Sequence, residues 1–527
     1  MNPKHGFSCC DCSCTRAAAE LRPSSDGVTR RRFLYSVGAL TAGGLTLAAL
    51  DANGSDIAAG PQRPARYFKP LKVQPVLLYE TPERREATSW RNWGGIQTDE
   101  DARKEQTRIS ADLAKLKAEA DYPIELLPLI AAKSGSQAVA AIGETQFDTL
   151  LLYAAGGWGL EKLVNKDRSN IMFLRHDPGP VYLWYEIVHP RFLRKTVDEY
   201  AQTGMDVWDV VVDKQEDIAW RLRALSGLKN TLGKRIICIG GAGGWGEGGR
   251  KAPAISRELW NLDLVDYPYK DLEPRLKAAY QDTALVKRCE EDARRYLSQS
   301  GVSLHTQRQF VDRAFVLTEV FKDIMDEAKT DAITVNACMG TIMGMSKTTA
   351  CLPLSLLNDE GYLAFCESDF VVIPSGVLLH YISGKPVFLN DPTYPHGDVV
   401  TLAHCTAPRR MDGKRYEHAG ILTHFESDYG AAPKVEMKIG QITTNLVPDF
   451  SCKKWVGFVA TIVGNPFLDI CRSQIDVRVH GDSTALMEQM KGFHWMLAYG
   501  DYLKECGYAL KKLDVEMLNV SAPRTVA

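Results

Sequence analysis

Short apolar runs, each followed by a charged stretch with helical spacing, recur along most of this chain. Val73–Tyr79, Pro123–Leu129 and Phe147–Tyr153 read as buried strands. Between them, Thr98 to Ala118 carries Ile109, Leu113 and Leu116 on one helical face. A second series follows, with periodic apolar positions from Arg191 to Ala224, a strand over Lys234–Ile239, helix over most of Val286–Lys329 and a strand at Ala332–Asn336. Alternation of strand and helix at this pace predicts parallel α/β sheets. The pattern changes in the last third, where Lys434–Leu446 and Trp455–Val463 read as β-rich runs and Tyr499–Leu518 as a closing helix–strand pair.

One internal repeat stands out. Ala-Gly-Gly-Trp-Gly occurs at 155–159 and again at 242–246, each time just after an apolar strand. Two similarly wound units would present such loops at the carboxyl ends of their sheets, where ligands bind in open α/β folds. Trp158 and Trp245 on these loops are therefore candidate residues for stacking on a bound substrate.

The chain has 527 residues, enough for about three domains at ~100–200 residues each. It is 45% hydrophobic and 24% charged, with 63 basic and 65 acidic side chains. A net charge of −2 disfavours nucleic-acid binding as the main task. No apolar run past the N-terminus reaches the ~20 residues of a membrane span. Near that terminus, Thr29-Arg-Arg-Arg-Phe-Leu34 precedes an uncharged stretch to Leu50 and resembles a twin-arginine export signal. This predicts a periplasmic protein; an uncleaved signal would act as an anchor. Residues 1–60 are thus read as signal and linker, 61–175 and 176–350 as two α/β domains, and 351–527 as a third domain.

Of 13 cysteines, four cluster before the arginines at Cys9, Cys10, Cys12 and Cys14. The others are scattered from Cys238 to Cys506 in apolar contexts, which reads as buried free thiols rather than a disulfide framework.

Candidate chemistry concentrates between Cys351 and Pro408. Gly361–Glu367 reads as a strand ending in an acid, with Ser368 and Asp369 as helix caps. An apolar helix from about Phe370 to Ser383 stops at Gly384, and Lys385–Asp391 is the next strand. A right-handed crossover would make these two strands parallel neighbours, so Glu367 and Asp391 would emerge on one sheet edge. A short strand at Val399–Leu402 would deliver His404 nearby. Two carboxylates and an imidazole suit a hard divalent cation, Mn²⁺ or Mg²⁺, with the imidazole favouring Mn²⁺.

These segments resemble a known family. Cys351–Gly361, Cys366-Glu-Ser-Asp369, Ser383–Pro386, Leu389-Asn-Asp391, Ala403-His-Cys405 and Gly492–Asp501 are similar to the metal-site domain of L-fucose and L-arabinose isomerases, most strongly over residues 330–510. The resemblance implies two Rossmann-like parallel-sheet domains and a C-terminal mixed α/β domain with a β-barrel. It implies trimers or hexamers, and metal-dependent interconversion of aldose and ketose monosaccharides by an enediol or hydride-shift route. Glu367, Asp391 and His494 match the metal ligands, the two carboxylates doubling as catalytic groups. Asn390 stands where the arabinose-type pattern has a Glu, which favours the fucose-type site. His404 matches a site histidine of the arabinose-type enzymes; with Asn390 it is expected to contact sugar.

Two alternatives stay open. Gly241-x-Gly-x-x-Gly246 after a strand fits a nicotinamide-binding loop, although Gly248, Gly249 and Pro253 interrupt the helix that should follow. A non-catalytic sugar-binding protein on the same scaffold is the other.

Overall fold

The computed structural model describes residues 67–156, 159–182 and 204–521. The twin-arginine pattern, the early cysteines and Trp158 lie outside these residues, as does part of the helix expected after Arg191. The chain divides into two compact units. One comprises residues 68–230 with 504–512; the other comprises 231–503 with the segment from 513.

The first unit is built on β1 (Leu71–Leu78), β2 (Ile124–Leu126), β3 (Ile130–Ala132), β4 (Thr149–Ala154), β5 (Ser169–Leu174) and β6 (Val210–Val212). All pair in parallel, in the order β2-β1-β4-β5-β6, with β3 also on β1. β4 is buried at every position, as expected of a strand covered on both faces. The helix Asp99–Glu119 starts in a capping box between Thr98 and Asp101 and buries Ile109, Leu113 and Leu116. Its one deeply buried acid, Glu105, is satisfied by Arg175 at 3.0 Å and the Tyr182 hydroxyl at 2.8 Å. The domain boundary expected at 175/176 falls between β5 and β6, which pair, so this unit extends to residue 230.

The second unit opens with β7 (Arg235–Ile239), β8 (Asp263–Tyr267), β9 (Val302–Leu304), β10 (Ala332–Val335) and β11 (Leu363–Cys366). Four of these form a parallel sheet in the order β11-β10-β7-β8. The boundary expected at 350/351 is crossed by the β10–β11 pairing. There follow β12 (Phe388–Pro392), β13 (Val399–His404), β14 (His418–Leu422), β15 (Ala432–Glu436), β16 (Ile442–Val447), β17 (Lys454–Gly464), β18 (Ser473–Val479), β19 (Trp495–Tyr499) and β20 (Glu516–Asn519). Six of them run β16-β19-β12-β13-β18-β17, and β16 pairs back onto β17. This is a closed antiparallel barrel, which leaves its strands no free edge. Phe388, Leu402, Val456, Phe458, Trp495 and Leu497 belong to its core. A mixed α/β architecture with parallel sheets and a β-barrel is therefore present.

The expected parallel crossover between β11 and β12 is not. β11 belongs to the parallel sheet, whereas β12 is a barrel strand antiparallel to β13 and β19. The connecting helix Ile373–Ser383 explains the difference. It is buried at every residue, so it needs cover all round and packs against both β11 and β19. A Cβ on its Gly376 would lie 2.5 Å from Met496 of β19 and 2.7 Å from Phe365 of β11. The helix thus carries the chain from one sheet into the other instead of returning it.

Candidate metal centre

Three loops converge at the carboxyl ends of β7, β10 and β11. Glu367 and Ser368 directly follow β11 with φ of +63° and +49°, two consecutive left-handed residues that are not glycine. Each such residue costs about 1–2 kcal/mol. The turn is held by the loop after β7. Gly243 N–H donates to Ser368 O at 3.2 Å, and Phe370 N–H donates back to Gly243 O at 3.1 Å. Trp245 N–H donates to Asp369 Oδ1 at 3.1 Å. Gly244 is required here, because a Cβ would sit 2.0 Å from Gly249 O.

The barrel supplies the other side. Asp391 lies near the end of β12, His404 ends β13, and His494 immediately precedes β19. His494 Nε2 is 3.2 Å from Glu367 Oε2 and 3.2 Å from Asp391 Oδ1. His404 Nε2 lies 3.6 Å from Glu367 Oε1. The ligand atoms of Glu367, His404 and His494 all fall within 4.8 Å of one another.

Asp369 decides how this cluster is wired. Its Oδ2 lies 2.7 Å from His494 Nδ1, and both side chains are buried. A carboxylate accepts, so Nδ1 carries a proton, and in the neutral ring the Nε2 lone pair faces two further carboxylates. That arrangement is repulsive unless a positive charge lies between them. Asp391 Oδ1, His404 Nε2 and His494 Nε2 are all buried without a hydrogen-bond partner. Neighbouring ligand atoms around an octahedral Mn²⁺ or Mg²⁺ stand about 3 Å apart, so separations of 3.2 Å fit such an ion with little movement. Glu367, Asp391, His494 and His404 would hold it, and Asp369 would orient His494 in the carboxylate–histidine–metal manner.

The electrostatics agree. Burial opposes ionisation of Glu367, yet His494 and His404 hold it well below the usual carboxylate range. Burial likewise opposes charge on His494, but Asp391 and Glu367 raise it strongly. Burial pushes Asp391 up to about 6. The site demands one or more cations, protons if nothing else is bound.

The residues singled out from sequence fare differently. Glu367, Asp391 and His494 come together, although from two sheets rather than one edge. His404 joins them, its Nε2 3.6 Å from Glu367 Oε1. Asn390 is fully buried with its Nδ2 donating to Phe388 O at 2.9 Å; strand alternation turns it away from the face that carries Asp391. Trp245 stacks on Phe493 at 3.6 Å between ring centroids and 3° between planes, so one of its faces is already covered. Asp369, expected to cap a helix, does accept from Val371 N–H through Oδ1 at 3.1 Å, but the helix itself begins only at Ile373, with no side-chain cap at Val372. Its spacing two residues after Glu367 was the available signal for a role at the site.

The loop that satisfies the nicotinamide pattern uses its N–H groups internally. Besides Gly243 and Trp245, Ala242 N–H donates to Asp266 Oδ1 at 3.2 Å. A pyrophosphate would need those donors free. The helix that follows is only Gly246–Gly249.

Glu367, Asp391 and His404 line a cavity together with Cys338, Cys351, Cys405 and His424. The cavity is small, with room for an ion or roughly one water. No family model matches this chain, and no curated protein matches it.

Proposed function

We propose that this protein is a metal-dependent aldose–ketose isomerase acting on a monosaccharide. The observation that carries this reading is the pair of buried, unpartnered Nε2 atoms of His494 and His404 clustered with Glu367 and Asp391. A bound Mn²⁺ or Mg²⁺ supplies polarisation of the sugar's C1 and C2 oxygens. Glu367 touches both histidines and serves mainly to hold the ion. Asp391 touches only His494, which leaves its carboxylate freer to take the proton from C2 and return it to C1 as a proton passes from O2 to O1. Substrate approaches the partly exposed edges of Glu367 (26%) and Asp391 (21%). With the pattern Thr29–Leu34, export to the periplasm is part of the same reading.

The test is metal analysis of the purified chain, then incubation with a panel of aldoses in D₂O. Ketose carrying deuterium at C1 supports the proton route; ketose without deuterium supports isomerisation by hydride shift. Absence of bound divalent metal together with absence of turnover or exchange for every sugar rejects the proposal.

A further inference from the structure

Beside the carboxylate–histidine cluster lies a second, chemically different one. Cys351 begins the helix Cys351–Asp359, Cys405 directly follows β13, and His424 follows β14. These three come from separate stretches of chain, yet their Sγ and ring nitrogen atoms fall within 4.8 Å of one another. Cys351, Cys405 and His424 retain only 3%, 3% and 5% of their surface. Cys471, from the segment before β18, packs against Cys351 and Cys405 and faces the Cys405 thiol.

Buried thiols alone are ordinary apolar filler. Two features argue for more. A histidine is buried among them, and an imidazole is a costly choice for a purely apolar contact. The ring is also anchored: His424 Nδ1 lies 3.3 Å from Ser427 Oγ, while the residue's backbone N–H donates to Tyr429 O at 2.9 Å. Metal-bound imidazoles keep such an outer partner. The second feature is spacing. Around a tetrahedral Zn²⁺ with Zn–S of about 2.3 Å, neighbouring sulfurs stand about 3.8 Å apart, a contraction of at most ~1 Å from the separations here.

We propose that Cys351, Cys405 and His424, with Cys471 as fourth ligand, form a binding site for a thiophilic tetrahedral cation, Zn²⁺ in the first instance. The thiols would release their protons to solvent on binding. Soft sulfur ligands select against Mn²⁺ and Mg²⁺, so this site and the carboxylate cluster would take different ions along one cavity. Cys405 is the neighbour of His404, so an ion held here would also fix the position of that histidine. The inference does not depend on isomerase activity.

The test uses the full chain, purified reduced and loaded with Zn²⁺, then exhaustively dialysed. One retained zinc per chain, and thiolate-to-cobalt charge-transfer absorption when Co²⁺ replaces it, are expected. Cys405→Ser should lose both, and His424→Gln should lower affinity about 10-fold or more. Glu367→Gln should leave both signals intact, which separates this site from the carboxylate cluster. No retained zinc and no charge-transfer band in the wild-type chain would overturn the proposal even if the variants do not fold. Retention of the full signal in a folded Cys405→Ser protein would overturn it equally.

Discussion

Asp369 Oδ2 lies 2.7 Å from His494 Nδ1, joining two residues 125 positions apart in sequence and buried on opposite walls of one cluster. The contact settles which imidazole nitrogen is free for a ligand. In Asp369→Asn, Oδ1 can still accept from Trp245 N–H, so the turn should persist. The amide nitrogen would then face Nδ1 as a donor, forcing the proton onto Nε2 and into the cluster. Mn²⁺ affinity is expected to fall about 10–100-fold with little loss of stability. Calorimetric titration of Mn²⁺ into wild type and variant measures this; equal affinities would remove Asp369 from the metal's support.

Ser368 presents a different case. It is fully buried, its φ is +49°, and its Oγ has no hydrogen-bond partner. Ser368→Gly removes the left-handed strain and the orphan hydroxyl, at the cost of a more flexible unfolded chain. The balance should favour the variant by about 1 kcal/mol. Urea unfolding of both proteins tests it, and a clear loss of stability in Ser368→Gly would show that the turn does not carry the strain its dihedrals imply.

Gly244 is constrained by space rather than by dihedral. Gly244→Ala would bring a Cβ against the Gly249 carbonyl, where backbone has to move. A destabilisation of about 1–3 kcal/mol is expected. Because Trp245 N–H holds Asp369, the same variant should also weaken Mn²⁺ binding. A variant destabilised yet unchanged in metal affinity would separate the loop from the site.

How much of this was legible beforehand depends on the range of the interaction. Strands such as β4 and β7 announce themselves by uninterrupted apolar runs, and the helix Asp99–Glu119 by its seam and cap. Glu367, Asp391 and His494 were found through motif resemblance. Their assembly was not, because the partners of β12 are chosen far away. Phe388 pairs with Leu497 and Asp391 with Ala403, and nothing in Lys385–Asp391 itself distinguishes a barrel strand from a parallel one. Cys351, Cys405 and His424 were equally opaque, since ligands drawn from separate segments leave no short spacing to read. The return of residues 504–512 to the first unit has the same cause. Its anchor, the Tyr508 hydroxyl donating to Asp209 Oδ1 at 2.6 Å, spans 299 positions.

His380 gives a pH dependence whose sign follows from its burial. It lies within the apolar helix Ile373–Ser383, and its Nδ1–H donates to Lys385 O at 2.8 Å. Burial lowers its pKa from 6.5 to about 4. Between those values the unfolded chain binds the extra proton and the folded chain does not. Stability from this residue is therefore complete above pH 6.5 and lost as pH falls toward about 4. The full effect is roughly 3 kcal/mol. His380→Asn keeps a donor for the Lys385 carbonyl but cannot titrate. Its unfolding free energy should thus decline less than that of the wild type between pH 7 and pH ~4.5. Denaturant melts at several pH values provide the comparison, and parallel declines in the two proteins would mean that His380 titrates normally in the fold.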